Sequence, residues 1–241
     1  MNLIIDIGNT RTKLAVFKGN SLQKVSIVKT EKLFNKVKKK FKKYAITNSI
    51  ISSVAKTPTE TLHFLTKNAN CIDLSSETKI PFKNLYKTPT TLGVDRIALI
   101  AGAINLKNNH NTLVIDAGTC ITYDFINQKN EYFGGAIAPG IKMRYKALHK
   151  FTANLPLLIP EKNPEKGNTT ENAIHKGIIN GIFLEIEGII KQYQNKYDNL
   201  TIVLTGGDTN FLAGMLKSSI FANPNFLLEG LNYILNYNLQ E

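Results

Sequence analysis

The chain contains no tryptophan, only two cysteines and three methionines among 241 residues, and its 18 acidic residues fall well short of its 30 lysines and arginines. Cys71 and Cys120 are too few for a disulfide framework or a cysteine-rich zinc site, and such sparse thiol content fits a reducing compartment. His63, His110, His149 and His175 are scattered without metal-ligand spacing and read as structural or solvent-exposed. No apolar run approaches the ~20 residues that span a bilayer, so no membrane partner is expected. The N-terminus opens directly on a strand-like run holding Asp6, with no basic segment or cleavage site. No signal peptide is therefore expected, and the chain reads as cytoplasmic. An apolar fraction of 43% over this length suffices for a large core, in one domain or in two lobes of about 120 residues.

The shortage of acid leaves a net charge of +12. Lys36, Lys38, Lys39, Lys40, Lys42 and Lys43 form a dense basic run. Phe34, Val37, Phe41 and Tyr44 recur through it at spacings of three and four. One stripe thus packs inward while the lysines stay wet. No nucleic-acid-binding motif accompanies the run, so a solvated helix face without a nucleic-acid partner is expected.

What the chain does have is a phrase used twice. Residues 4 to 10 read Ile-Ile-Asp-Ile-Gly-Asn-Thr and residues 114 to 119 read Val-Ile-Asp-Ala-Gly-Thr. Each is an apolar, strand-like run ending in Asp, followed by Gly and a small hydroxyl residue, Thr10 or Thr119. Gly8 and Gly118 remove side-chain bulk at a turn, so backbone N–H groups can face an anion. A carboxylate beside such a turn can hold hydrated Mg²⁺, while the turn and the hydroxyl hold phosphate oxygens. Two copies roughly 110 residues apart imply two like subdomains facing each other across a nucleotide.

Strands are expected over 2–7, 12–18 and 22–28, the last two joined by a Gly19-Asn20 turn. A basic helix near 31–43, a strand near 44–51, a helix over 57–67 and a strand over 70–74 follow. Residues 75–93 are polar and turn-rich and read as a long functional loop. The pattern restarts with a helix over 94–106, strands near 111–116, 119–126 and 131–138, and a helix near 141–149. A proline-rich loop (Pro156, Pro160, Pro164) then leads to a long helix over 170–196. A strand over 200–205 runs into Thr205-Gly206-Gly207-Asp208 and another helix, and a last helix covers 226–238. The division expected is 1–93 and 94–241, two α/β lobes of common ancestry, with the last helix able to pack back on the first.

Two further segments carry chemistry. Leu92-Gly93-Val94-Asp95-Arg96 sets an acid and a base side by side where a helix begins, a position that favours an anion and offers N–H groups to a polar ligand. Thr205-Gly206-Gly207-Asp208 is a strand end and tight turn open to close approach by a nucleoside or phosphate. On the residues alone, Asp95 serves equally well as a helix cap with Arg96 in a surface ion pair.

Taken together, these motifs resemble the type III pantothenate kinases, members of the acetate kinase, sugar kinase, Hsp70 and actin superfamily. The resemblance rests on Asp6-x-Gly8-Asn9-Thr10, Tyr86 followed by Gly93-x-Asp95-Arg96, and Asp116-x-Gly118-Thr119. It extends through Gly134-Gly135…Pro139-Gly140, Thr169-Thr170…Ala173…Gly177 and Thr205-Gly206-Gly207-Asp208. It implies two ribonuclease H-like lobes with a nucleotide cleft between them, and ATP-dependent phosphorylation of pantothenate in coenzyme A synthesis. It further implies an ATP phosphate cradle at Asp6, Ile7, Gly8, Asn9, Thr10, Arg11, Thr12 and Lys13, with Thr119 also on ATP. Asp6 would lie in the outer shell of Mg²⁺, and Asp116 would bind a monovalent cation, K⁺ or ammonium. Tyr86, Gly93, Val94, Asp95 and Arg96 would bind pantothenate, with Asp95 as general base. Thr170, with Thr169 as the alternative register, would reach pantothenate from the other subunit of a homodimer.

Cys120 stands where the family usually has Ala and reads as a small packed residue. Ile178, Ile182, Ile186 and Ile189/Ile190 form a stripe on the long helix that serves either a dimer interface or a core. The competing readings are an accessory protein of the same fold without kinase activity, and a kinase of the superfamily acting on another acceptor.

Overall fold

The computed structural model describes residues 1–55, 57–106, 110–162 and 166–240. Pro164 of the expected loop lies outside them. The chain forms two compact units. The first comprises residues 1–109, 129–133 and 225–241; the second comprises 110–128 and 134–224.

In the first unit, β1 (Asn2–Ile7), β2 (Thr12–Lys18) and β3 (Ser21–Val28) form an antiparallel meander. Gly19, with φ of +57°, supplies the left-handed residue that the β2–β3 turn needs. Helix α1 (Leu33–Lys43) leads to β4 (Asn48–Ser53), and α2 (Thr59–Asn68) leads to β5 (Asn70–Asp73). The sheet order is β3-β2-β1-β4-β5, with β4 parallel to β1. Alternation along the strands sends Leu3, Ile5, Ile7, Leu14 and Val16 to one face, where Leu33, Val37 and Leu65 cover them.

Helices α3 (Val94–Asn105) and α7 (Phe226–Leu239) pack against each other, and α7 also packs on β1 and β4. Close approach is built in, because a Cβ on Gly230 would collide with the Ala98 carbonyl. A chain of amides secures α7 to the sheet: Asn2 donates to Asn232 (2.9 Å) and Asn236 (2.8 Å) and accepts from Asn48 (3.1 Å). The expected division at Gly93 therefore differs from the compact units. An α3 rich in fully buried residues finds its partner in a helix 130 residues further on, and both remain with the first sheet.

The second unit repeats the plan. Strands β7 (Asn111–Ala117), β8 (Cys120–Ile126) and β9 (Glu131–Pro139) are followed by α4 (Ile141–Phe151), α5 (Thr170–Lys196), β10 (Leu200–Thr205), the short α6 (Thr209–Leu212) and β11 (Phe221–Ala222). The order β11-β10-β7-β8-β9 mirrors the first sheet strand for strand, with β10 parallel to β7 as β4 is to β1. Residues 131–133 at the start of β9 belong to the first unit, where β6 (Lys83–Asn84) pairs with them. The isoleucine stripe of α5 is spent on the core: Ile174, Ile178, Ile182, Ile186 and Ile190 pack with Leu113, Ile115, Ile121, Ile202 and Leu204.

The strand expected at 44–51 begins later, at Asn48. Tyr44 N–H closes α1 on the Lys40 carbonyl, and Ile46 N–H turns back to the Tyr44 carbonyl, so pairing with β1 starts only afterwards. The expected loop over 75–93 contains β6 and a 3-10 turn at Pro89–Thr91.

Candidate active site

In the first unit the two strands of the first repeat place Asp6 directly opposite Lys13. Between them the Gly8 N–H donates to the Arg11 carbonyl at 3.2 Å, closing a tight turn over residues 8–11. Burial pushes the Asp6 carboxyl up to about 6 against the opposing pull of the Lys13 ammonium, and the negative charge of Asp95 pushes it further the same way. Asp95 is thus within electrostatic reach of Asp6 although 89 positions separate them in sequence.

Asp95 sits in the first turn of α3, after Gly93 at the N-cap. Its Oδ1 accepts the Arg96 N–H at 2.8 Å, and any side chain at residue 93 would collide with that carboxylate. Glycine here lets the acid fold back over the helix start. Arg96 is buried, and its guanidinium lies 5.5 Å from the centre of the Tyr86 ring. Tyr86 stacks in turn on Tyr132, with centroids 6.2 Å apart, and Phe82 meets Tyr132 edge-on at 5.9 Å. Sequence reasoning missed Tyr132. Its signal is a register, β6 against the start of β9, that only the folded sheet sets.

In the second unit Asp116 pairs in register with Thr122 on β8 and Thr205 on β10. The hydroxyls of both threonines are buried without a hydrogen-bond partner. Such orphaned oxygens call for an explanation, and a bound ion or water is the usual one. Three turns are docked at the end of β7: Asp208 N–H donates to the Ala117 carbonyl (2.9 Å), Gly118 N–H to that of Cys120 (2.9 Å), and Gly140 N–H to that of Thr119 (3.1 Å). A Cβ on Gly140 would collide with the Gly118 and Thr119 carbonyls.

Gly206 has φ of +99°, and a Cβ there would collide with both the Ala117 carbonyl and Asp116 Oδ1. Gly206→Ala combines backbone strain with that clash. Its expected destabilisation is at least ~2 kcal/mol, read as a fall of the thermal midpoint by roughly 4 °C or more. An unchanged midpoint would mean that the turn relaxes freely.

A brace that sequence reasoning also missed lies beneath these turns. Arg144 donates from Nε to the Pro139 carbonyl (2.9 Å) and from Nη2 to Glu185 (2.6 Å), whose other oxygen accepts from Tyr123 (2.8 Å). Glu185 lies 41 residues from Arg144 and 62 from Tyr123, and no local pattern announces the group. On α5, Thr169 is the N-cap and accepts the Asn172 N–H at 3.2 Å, while Thr170 begins the helix exposed. Among the described residues no group of three or more His, Cys, Asp or Glu is placed to hold a metal ion. No helix among them is long and apolar enough to cross a membrane.

Residues 2–192 match the family model for type III pantothenate kinase. The chain is 50% identical over 240 residues to a type III pantothenate kinase of Christiangramia forsetii and 45% identical over 240 residues to one of Phocaeicola vulgatus, each alignment covering 99% of both chains. Among solved structures it resembles a conserved candidate Baf family transcriptional activator from Campylobacter jejuni (TM-score 0.66, 23% identity, 99% and 100% of the two chains). It also resembles a glucokinase from an Antarctic psychrotroph (TM-score 0.55, 11% identity, 98% of each chain). At these identities the structural likeness establishes the fold alone, a two-sheet α/β architecture that the chain shares with that glucokinase.

Proposed function

The chain belongs to the type III pantothenate kinase family, and on that premise we propose that it transfers the terminal phosphoryl group of ATP to the primary hydroxyl of pantothenate, the first step of coenzyme A synthesis. The observation that carries the reading is the grouping in the first unit of Asp6 and Lys13 on one hairpin, Asp95 within reach of Asp6, and Arg96 over Tyr86.

Phosphoryl transfer passes through a loose transition state, so positioning and charge neutralisation supply most of the rate. Residues 6 to 13, with Thr119, would hold the phosphates. Lys13 carries the positive charge that the cradle needs. Asp95 would orient the acceptor hydroxyl and take its proton as the new P–O bond forms, a role that requires no raised pKa when the proton leaves late. Arg96, held over the Tyr86 ring that stacks on Tyr132, would clamp the pantothenate carboxylate with its planar fork.

A kinase of this family needs a divalent cation with its ATP, and the residues fit one carried in by the nucleotide: Asp6 supplies a single carboxylate, suited to hold Mg²⁺ through water. That ion would contribute neutralisation of phosphate charge. Asp116, flanked by the unpartnered hydroxyls of Thr122 and Thr205, fits a monovalent cation, K⁺ or ammonium. We place the enzyme in the cytoplasm as a homodimer, with Thr170 reaching pantothenate of the partner subunit. Supporting this register, the Thr169 hydroxyl is taken by its own helix.

The test is ADP release by the purified protein with ATP, Mg²⁺ and pantothenate, in K⁺ and again with K⁺ replaced by Na⁺. Pantothenate-dependent turnover stimulated by K⁺ is expected. ATP binding without such turnover would favour a different acceptor or an accessory protein.

A further inference from the structure

The excess positive charge is not spread over the chain. Residues 1–59 hold thirteen lysines and arginines against two acids, Asp6 and Glu31, and so carry +11 of the net +12. Much of it sits on α1, where Lys38, Lys39, Lys42 and Lys43 are exposed and Lys36 is half-buried. Lys24, exposed on the edge strand β3, belongs to the same patch. Burial, with Lys36, Lys24 and Lys43 alongside, pushes the Lys40 ammonium below its ordinary range. Among the described residues no carboxylate pairs with the α1 lysines. A solvated helix face explains where these side chains point. It does not explain why one quarter of the chain holds nearly all the net charge.

We propose that α1 and the adjoining edge of β3 form a binding surface for double-stranded DNA, recognised through its phosphates and without regard to sequence. Three observations choose this partner. The apolar side of α1 is already used, since Leu33 and Val37 are fully buried and the Phe34 and Phe41 rings meet Phe64 edge-on at 5.9 and 5.1 Å. On α1 itself no apolar face is left to insert into a bilayer, and the adjoining β3 exposes the single large apolar side chain of Ile27. The lysines at 36, 38, 39, 42 and 43 cover an arc of about 160° at 100° per residue. So wide an arc is convex and reaches phosphates on both walls of a groove, whereas a flat membrane meets only part of it. The major groove of B-form DNA admits a helix, while that of duplex RNA is too deep and narrow. The surface is mainly lysine, with Asn35 on α1 and Gln23 on β3 as its exposed amides, no exposed Arg, and no aromatic platform for unstacked bases. Contacts are therefore confined to phosphates.

The experiment titrates the full-length protein into a labelled 20-base-pair DNA duplex, followed by fluorescence anisotropy from 50 to 200 mM KCl. With four or five phosphates neutralised, affinity falls roughly 10²- to 10³-fold across that range. Replacing Lys38, Lys39, Lys42 and Lys43 by Gln keeps helix propensity and should weaken binding at 50 mM KCl by at least about tenfold. Turnover with pantothenate should stay unchanged, which also shows that the variant is folded. No saturable binding at 50 mM KCl, or equal binding by the fourfold variant, would overturn the proposal. So would tighter binding to a duplex RNA of the same length, or tighter lysine-dependent binding to vesicles containing phosphatidylserine.

Discussion

Asp95→Asn is expected to lower kcat by 10²- to 10⁴-fold, the range associated with loss of a positioned general base, while KM for ATP changes little. The substitution isolates charge from shape. Asp95 Oδ1 accepts the Arg96 N–H at 2.8 Å, and an asparagine Oδ1 can accept the same bond. The start of α3 therefore keeps its backbone partner, and the fold back over Gly93 keeps its room. What disappears is the anion that takes the hydroxyl proton. The thermal midpoint should stay within a degree or two of the parent, so that lost turnover cannot be ascribed to unfolding. A second consequence follows from the placement of Asp6. The charge on Asp95 helps to hold the Asp6 carboxyl at about 6, so its removal should lower that value, measurable by NMR titration of the Asp6 carboxyl carbon. A kcat within threefold of the parent would remove Asp95 from the chemistry and leave it as a helix cap.

The parts of this molecule legible in its sequence are those decided locally. Each Asp–Gly hairpin announces itself within about ten residues, because strand, turn and returning strand are adjacent. The 27-residue α5 follows from an isoleucine spacing that its own core sustains. The repeat of the phrase also foretold a repeat of topology, which the two matching strand orders display. What escaped is what distant partners decide. Gly230 marks the crossing of α7 over α3 only once Ala98 is known to lie beneath it. Strands of two residues, β6 and β11, exist because a neighbour pairs with them, not because Lys83-Asn84 or Phe221-Ala222 prefer to be extended. At the candidate site, Asp6, Asp95, Arg96 and Tyr86 stand out by residue type beside glycine or aromatic context. Thr122 matters only through its register with Asp116, Tyr132 only through its stack on Tyr86, and Glu185 only through its bonds to Arg144 and Tyr123.

Asp6→Asn should separate stability from function, with opposite signs for the two. Burial raises the Asp6 carboxyl from its ordinary value of 3.8 to about 6, so the folded chain binds its proton more tightly than the unfolded one. The neutral acid therefore favours the fold at low pH. That contribution is complete below about pH 4 and is lost as pH rises through about 6, above which the folded chain carries a poorly solvated carboxylate. Two pH units correspond to about 3 kcal/mol. Partial solvent exposure of the side chain reduces the expected gain on removing the charge to about 1–2 kcal/mol. Without nucleotide at pH 7, Asp6→Asn should accordingly melt some 2–6 °C above the parent, and the difference should vanish near pH 4. Turnover should fall by 10²-fold or more, because the cradle loses the carboxylate placed to hold Mg²⁺. Saturating Mg²⁺ and ATP then reverse the order of the two proteins. Ligand at a hundred times its Kd stabilises the parent by about 2.7 kcal/mol, while the variant, binding weakly, gains little. A melting difference of constant sign and size, with and without Mg²⁺ and ATP, would place Asp6 outside the nucleotide site.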